Sequence, residues 1–304
     1  MSKWQKSPSR RQFLSGSAAA VAGSMSAGAA AAQTPDPLIT QVQDWASYAG
    51  DGVDEVRYGL PIRFEDDVVR RNVPWLTADP ISSINFTPIH ALDGTITPQG
   101  CAFERHHSGA IELRKQDYRL MVNGLVDRPI ILTYADLERL PRVNHVYFCE
   151  CAANTGMEWA GAQLNGAQFT HGMIHNMEYT GVPLRLVLQQ AGLAAAEDLS
   201  NKWVFVEGAD ASSNGRSIPM EKALDDVIVA FKANGEALRK EHGYPVRLVV
   251  PGWEGNLWVK WLRRIEVTDR SVESREETSK YTDVLANGMA RKWTWVMDAK
   301  SVIT

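Results

Sequence analysis

Cys151 ends the run Asn144-His145-Val146-Tyr147-Phe148-Cys149-Glu150-Cys151, which is hydrophobic and β-prone, and Ala152-Ala153-Asn154 follows it. A thiol at a strand end, where the chain turns, can reach a bound metal while the strand holds it still. Thiolate is a soft ligand, which suits a transition metal rather than magnesium or calcium. On this run alone, a buried structural cysteine is an equally good reading. Three other clusters carry donors. Phe103-Glu104-Arg105-His106-His107 crowds three potentially cationic side chains into one loop. His242-Gly243-Tyr244-Pro245-Val246-Arg247 sets a His and an Arg at the start of an apolar run, and Trp258-Val259-Lys260-Trp261 puts a Lys between two Trp. Arg as a bidentate donor, with Lys and His beside it, suits a phosphate on a large organic cofactor. Each cluster also has an ordinary reading: paired loop histidines are solvated, and Lys260 is a cation–π partner in a packed edge.

The elements that must hold these groups begin near Asp117. Tyr118-Arg119-Leu120-Met121-Val122 alternates like a strand. Thr133 caps a short helix through Leu140, and Pro183 opens another through Gln190 that Gly192 ends. Trp203–Val206, Val227–Phe231, Val246–Val250 and Leu262–Val267 read as further strands. Strands broken by short helices, without regular βαβ alternation, predict a mixed α+β domain. Before it, residues 33–100 are rich in Pro, Asp and Gly; Asp36-Pro37, Leu60-Pro61, Val73-Pro74 and Asp79-Pro80 predict an extended arm lying over the domain.

The amino terminus carries a different signal. Ser9-Arg10-Arg11-Gln12-Phe13-Leu14 leads into an Ala/Gly/Ser-rich stretch to Ala32, with a plausible cleavage site at Ala30-Ala31-Ala32. This pattern predicts a twin-arginine signal peptide over residues 1–32, a periplasmic address, and a cofactor inserted before export. Nothing later reaches the ~18 apolar residues of a membrane span. The net charge of -4 over 304 residues, without a basic run, argues against nucleic acid. Three cysteines do not make a disulfide framework, although a Cys101–Cys149 bridge stays open. No C-x-x-C-H haem motif occurs, so electrons leaving this chain must go to another.

The clusters also carry a resemblance. Cys151-Ala152-Ala153-Asn154, Gly172-Met173-Ile174 through Tyr179-Thr180-Gly181 to Leu184, Glu207-Gly208-Ala209-Asp210, Ser217-Ile218-Pro219, Asn234-Gly235, His242 to Arg247 and Val259-Lys260-Trp261-Leu262 occur in the order of the sulfite oxidase family. The similarity covers roughly residues 101–270 and implies a mixed molybdopterin-binding oxidoreductase domain with a molybdenum–molybdopterin cofactor. It implies Cys151 as the metal ligand and Arg105 as a catalytic group. It also implies cofactor contacts from Phe103, Glu104, Arg105, His106, Asp210, His242, Arg247, Trp258, Val259 and Lys260. The long arm, the signal and Tyr147-Phe148-Cys149-Glu150-Cys151 look most like the family's sulfane dehydrogenase branch. That likeness implies oxidation of sulfane sulfur on a sulfur-carrier protein, a c-type cytochrome subunit as redox partner, and a homodimer in a full-length form. Residues 271–304 then read as the start of a linker to an immunoglobulin-like dimerisation domain that the chain does not include, with Trp293 and Trp295 exposed.

Departures from the family pattern bear on substrate. Thr155-Gly156 stand where sulfite oxidases have two arginines, Asn214 where they have an active-site tyrosine, and Phe169 where a Trp lines the pocket. A pocket with fewer cationic and phenolic groups holds free sulfite less well. A substrate tethered to a carrier needs less from it. The alternatives are a periplasmic sulfite dehydrogenase, a protein methionine sulfoxide reductase subunit, or an inactive binding fragment.

Overall fold

The computed structural model describes residues 61–304 except 62, 78–80, 194–197 and 293. The predicted signal and the first part of the predicted arm, up to residue 60, lie outside the described residues. Within them, strands β1 (Arg71–Asn72), β2 (Ser83–Phe86) and β3 (Arg105–His106) come first. A hairpin of β4 (Arg119–Gly124) and β5 (Ile130–Thr133) leads to helix α1 (Tyr134–Arg139). Next come β6 (Val143–Glu150), α2 (Ala167–His171), β7 (Ile174–Pro183) and α3 (Leu184–Gln190). The chain continues through β8 (Trp203–Gly208), β9 (Gly215–Pro219), α4 (Met220–Asp225), β10 (Ile228–Ala233), β11 (Glu236–Ala237), β12 (Arg247–Val249), β13 (Leu262–Thr268) and α5 (Arg275–Thr278). Strands and short helices mix without βαβ order, as the α+β expectation required.

Three sheets carry the domain. One runs β1-β2-β3, a second β11-β10-β7-β6 with β12 also on β10, and a third β5-β4-β13-β8-β9. In the third, β13 lies parallel to β4 and antiparallel to β8, so the two ends of the domain close one sheet. The Tyr118 hydroxyl fastens this closure by donating to the Leu262 carbonyl at 2.6 Å. Local chemistry starts α1 where the sequence predicts. The Thr133 hydroxyl accepts from Asp136 N, and the Asp136 carboxylate accepts from Thr133 N at 2.8 Å. Such a capping box satisfies two orphan donors and is worth about 1 kcal/mol.

β7 alternates strictly: His175, Met177 and Tyr179 are buried, while Ile174, Asn176 and Glu178 are half-buried. Its polar residues hide the strand from a composition-based reading, because His, Asn, Glu and Thr interleave with the apolar ones. The described part of the arm belongs to the fold: Val73, Ile84 and Phe86 are core residues, and β2 pairs with β3 at Ser83–His106 and Ile84–Arg105.

Two expectations are corrected. All three cysteines are free, and Cys101 Sγ lies 3.6 Å from the Val68 carbonyl, so no Cys101–Cys149 bridge forms. Trp295 is half-buried; it stacks on Trp253 at 4.6 Å between ring centroids and also meets Trp203, because the tail turns back over the domain. Trp293 lies outside the described residues. The tail is held by a Trp253–Val296 bridge, by Glu254 N donating to Trp295 O at 2.7 Å, and by Lys300 Nζ on the buried Glu150 carboxylate at 2.6 Å. Among the described residues no helix is long and apolar enough to cross a membrane.

Candidate functional site

Cys151 follows the last residue of β6, in a turn clamped entirely by backbone and one amide side chain. Cys151 N donates to Met173 O at 3.0 Å, and Asn154 N donates to Cys151 O at 2.9 Å. Asn154 Oδ1 accepts from Met173 N at 3.0 Å, while its Nδ2 donates to Glu150. The turn therefore keeps its shape whatever the thiol does. Gly255 packs against it so closely that a Cβ there would sit 2.8 Å from Glu150 O and 3.2 Å from Cys149 Sγ.

The turn opens on a cavity of about 90 Å³. Four further segments converge on it. β3 and its flanks bring Phe103, Arg105, His106 and His107; a single 3₁₀ turn at Lys240–His242 and the start of β12 bring His242 and Arg247. The segment entering β13 brings Trp258 and Lys260, and the β8–β9 loop brings Asp210, Ser212 and Asn214. Nine of the eleven residues read from the sequence thus line one cavity with Cys151 among them. The exceptions are side chains that point elsewhere. Glu104 lies 3.0 Å from His106 Nδ1 and accepts from Asn85, so it orients the wall from behind; Val259 is buried in the core.

Three expected substitutions in the pocket fall differently. Thr155 and Gly156 do not line the cavity; Thr155 sits in left-handed backbone at φ 68° and caps a 3₁₀ turn. Phe169 is buried against Phe86 and under Arg71, away from the cavity. The pocket is not without a phenol, because Tyr281 lines it. Tyr281 lies beyond the run of motifs, which is why spacing did not flag it. His175 was also missed. It faces Cys149 across the β6–β7 ladder, and the alternation of β7 is the signal that finds it.

The electrostatics divide the cavity. Arg105 donates to Ser83 O, to His106 O and to His107 Nδ1 at 2.9 Å. That fixes His107 as a neutral imidazole with its proton on Nε2; burial and then the Arg105 charge hold it down at about 4. Burial pushes the Cys151 thiol up, and Arg105 is the cation that opposes this. Cys149 is pushed up to about 12 by burial, opposed by Arg247 and Lys260. Arg247 donates to Leu248 O, His242 O and Trp258 O. Lys260 donates to Arg105 O at 2.8 Å and Glu241 O at 2.9 Å. These three cations spend their hydrogen bonds on carbonyls and a ring nitrogen, with no carboxylate at ion-pair distance among the described residues. Nδ1 of His242 and Nδ1 of His175 are buried without partners. Buried charge left uncompensated is costly, so the cavity is built to receive an anion.

Lys260 reports this directly. Burial, and then the Arg247 charge, bring it down to about 7, against about 10.4 in an unfolded chain. Between these values the unfolded chain binds the extra proton, so stability rises with pH. Cofactor-free protein should melt at a higher temperature at about pH 9 than at about pH 7, and Lys260→Met should flatten that slope. An identical slope in the variant would show that Lys260 is not the group responsible.

The family described as oxidoreductase molybdopterin binding domain matches residues 107–276. The sulfane dehydrogenase SoxCD from Paracoccus pantotrophus is similar at 70% identity, with a TM-score of 0.79, over 89% of this chain and 68% of that one. Mitochondrial sulfite oxidase of Mus musculus is 34% identical over 71% of this chain and 40% of that protein. The NADH nitrate reductase of Volvox carteri is 36% identical over 60% of this chain and 22% of that protein. The chain thus spans well under half the length of these two curated relatives.

Proposed function

We propose, since this chain belongs to the oxidoreductase molybdopterin-binding domain family, that it oxidises sulfane sulfur held on a carrier protein and passes the electrons to a c-type cytochrome subunit in the periplasm. The donor set of the cavity fits the molybdopterin cofactor of that family: it presents Arg247, Lys260 and the unpartnered His242 Nδ1 to an anionic tail, and the Cys151 thiol to a metal. Arg247, His242 and Lys260 would hold the phosphate, Trp258 and Phe103 would flank the pterin, and Cys151 would ligate molybdenum. When bound, the cofactor supplies two-electron redox chemistry at sulfur, with water as the oxygen source.

The protein's part is to hold and to exclude. The clamped turn keeps Cys151 in place through backbone bonds. Arg105, immobilised by three acceptors, offers its charge at the Cys151 end. His107, neutral at working pH, serves there as a hydrogen-bonding group without adding charge. The observation that carries the substrate reading is the 70% identity to a sulfane dehydrogenase. A carrier-borne sulfur is brought to the reacting end by docking, which supplies its local concentration.

The test is kcat/KM for a persulfidated carrier and for free sulfite, measured side by side at one ionic strength with a cytochrome c acceptor. The 70% identity to a sulfane dehydrogenase predicts a preference for the carrier. A higher value for free sulfite would replace this reading with a sulfite dehydrogenase.

A further inference from the structure

Tyr281 lies beyond the matched residues 107–276, yet it lines the same cavity as Cys151, Arg105 and Asn214. Its place is fixed from several sides. Helix α5, just before it, is capped by a box in which the Ser274 side chain and the Glu277 carboxylate serve each other's backbone N–H. That carboxylate also accepts from Ser217 N at 2.6 Å and Ser217 Oγ at 3.1 Å, which clips α5 onto β9. Tyr281 N donates to Glu276 O at 3.3 Å. The guanidinium of Arg216, itself 2% exposed, lies over the ring at 4.7 Å from its centroid. Arg216 is pinned in turn, donating to Glu276 O at 2.9 Å and to Asn256 Oδ1. A ring held on its face by a buried cation is not free to swing. Among the described residues no hydrogen bond occupies its hydroxyl, which leaves Oη available as a donor at the cavity wall.

From this geometry we propose that Tyr281 determines specificity in the pocket by donating a hydrogen bond from Oη to an oxygen of a sulfur oxyanion, with Arg216 as the residue that positions its ring. The phenol sits on a segment clipped to β9, which Asn214 precedes in the chain. This rests on the reading of the cavity as a site of sulfur oxidation, in which oxyanion character develops on the sulfur being oxidised.

Inorganic sulfate, titrated calorimetrically into molybdenum-loaded protein, reads this contact without turnover. Tyr281→Phe should keep its molybdenum and its melting temperature and lose sulfate affinity by about 10- to 100-fold, the span of one hydrogen bond to a charged group. Unchanged affinity, or no sulfate binding by the wild type, overturns the proposal. If neither sulfur substrate is turned over while Tyr281→Phe still loses sulfate affinity, the functional reading fails and the phenol's role stands. Arg216→Gln should lose affinity too, and adding Tyr281→Phe should cost nothing more, since the two act as one unit. Fully additive losses would overturn the positioning role; should Arg216→Gln not fold, the Tyr281→Phe titration still decides for the phenol.

Discussion

Cys151→Ser should give a folded protein with no molybdenum-dependent turnover and an altered metal absorption spectrum, whereas Cys149→Ser should retain both. The turn around Cys151 is built from backbone bonds to Met173 and Asn154, so the substitution leaves its shape intact. What changes is the donor atom: a hard hydroxyl replaces a soft thiolate, and the metal's electronic structure follows its ligand. Cys149 lines the same cavity but is 3% exposed and kept protonated by burial at about 12. Its replacement changes the donor atom beside Gly255 and leaves the proposed metal ligand in place. Turnover by Cys151→Ser at the wild-type rate, with an unchanged spectrum, would remove it as the ligand.

Arg247→Ala is expected to purify nearly empty of molybdenum. Arg247 is 3% exposed, reaches three carbonyls, and sits between the rings of Tyr179 and Trp258. Removing it deletes a charge-assisted contact to the cofactor worth about 1.5–3 kcal/mol, a loss of roughly 10- to 100-fold in retention. It also leaves the carbonyls of His242 and Trp258 without their donor, so the empty protein should melt earlier. His242→Ala, which removes a smaller and neutral group, should lose less. Molybdenum measured by mass spectrometry against protein decides it, and full occupancy in both variants would make these groups purely structural.

The parts of this fold visible in the sequence are those whose physics is local. Thr133 with Asp136 declares a helix start, and Pro183 with Gly192 brackets another. Runs such as Trp203–Val206 have no reading except as buried strands. β7 was hidden because its inward side chains include His175, so apolar periodicity alone undercounts it. The site was legible where one segment carries several donors, as at Arg105-His106 or His242 to Arg247. It was not legible where a single residue arrives alone: Tyr281 is placed by Glu277 gripping Ser217, a contact 60 residues apart. Direction was the other loss. Glu104 and Val259 sit in the right segments, but spacing does not say which side of a short strand or loop faces the cavity, nor that Phe169 turns away to meet Phe86.

The bond between Lys300 and Glu150 has a practical meaning for anyone handling the protein. Glu150 is the residue immediately before Cys151, and it is shared by Asn154 of the turn and Lys300 of the tail. A change at Lys300 is thus felt one peptide bond from the thiol. Substitution or chemical modification of the Lys300 amine is therefore poorly insulated from the reacting centre.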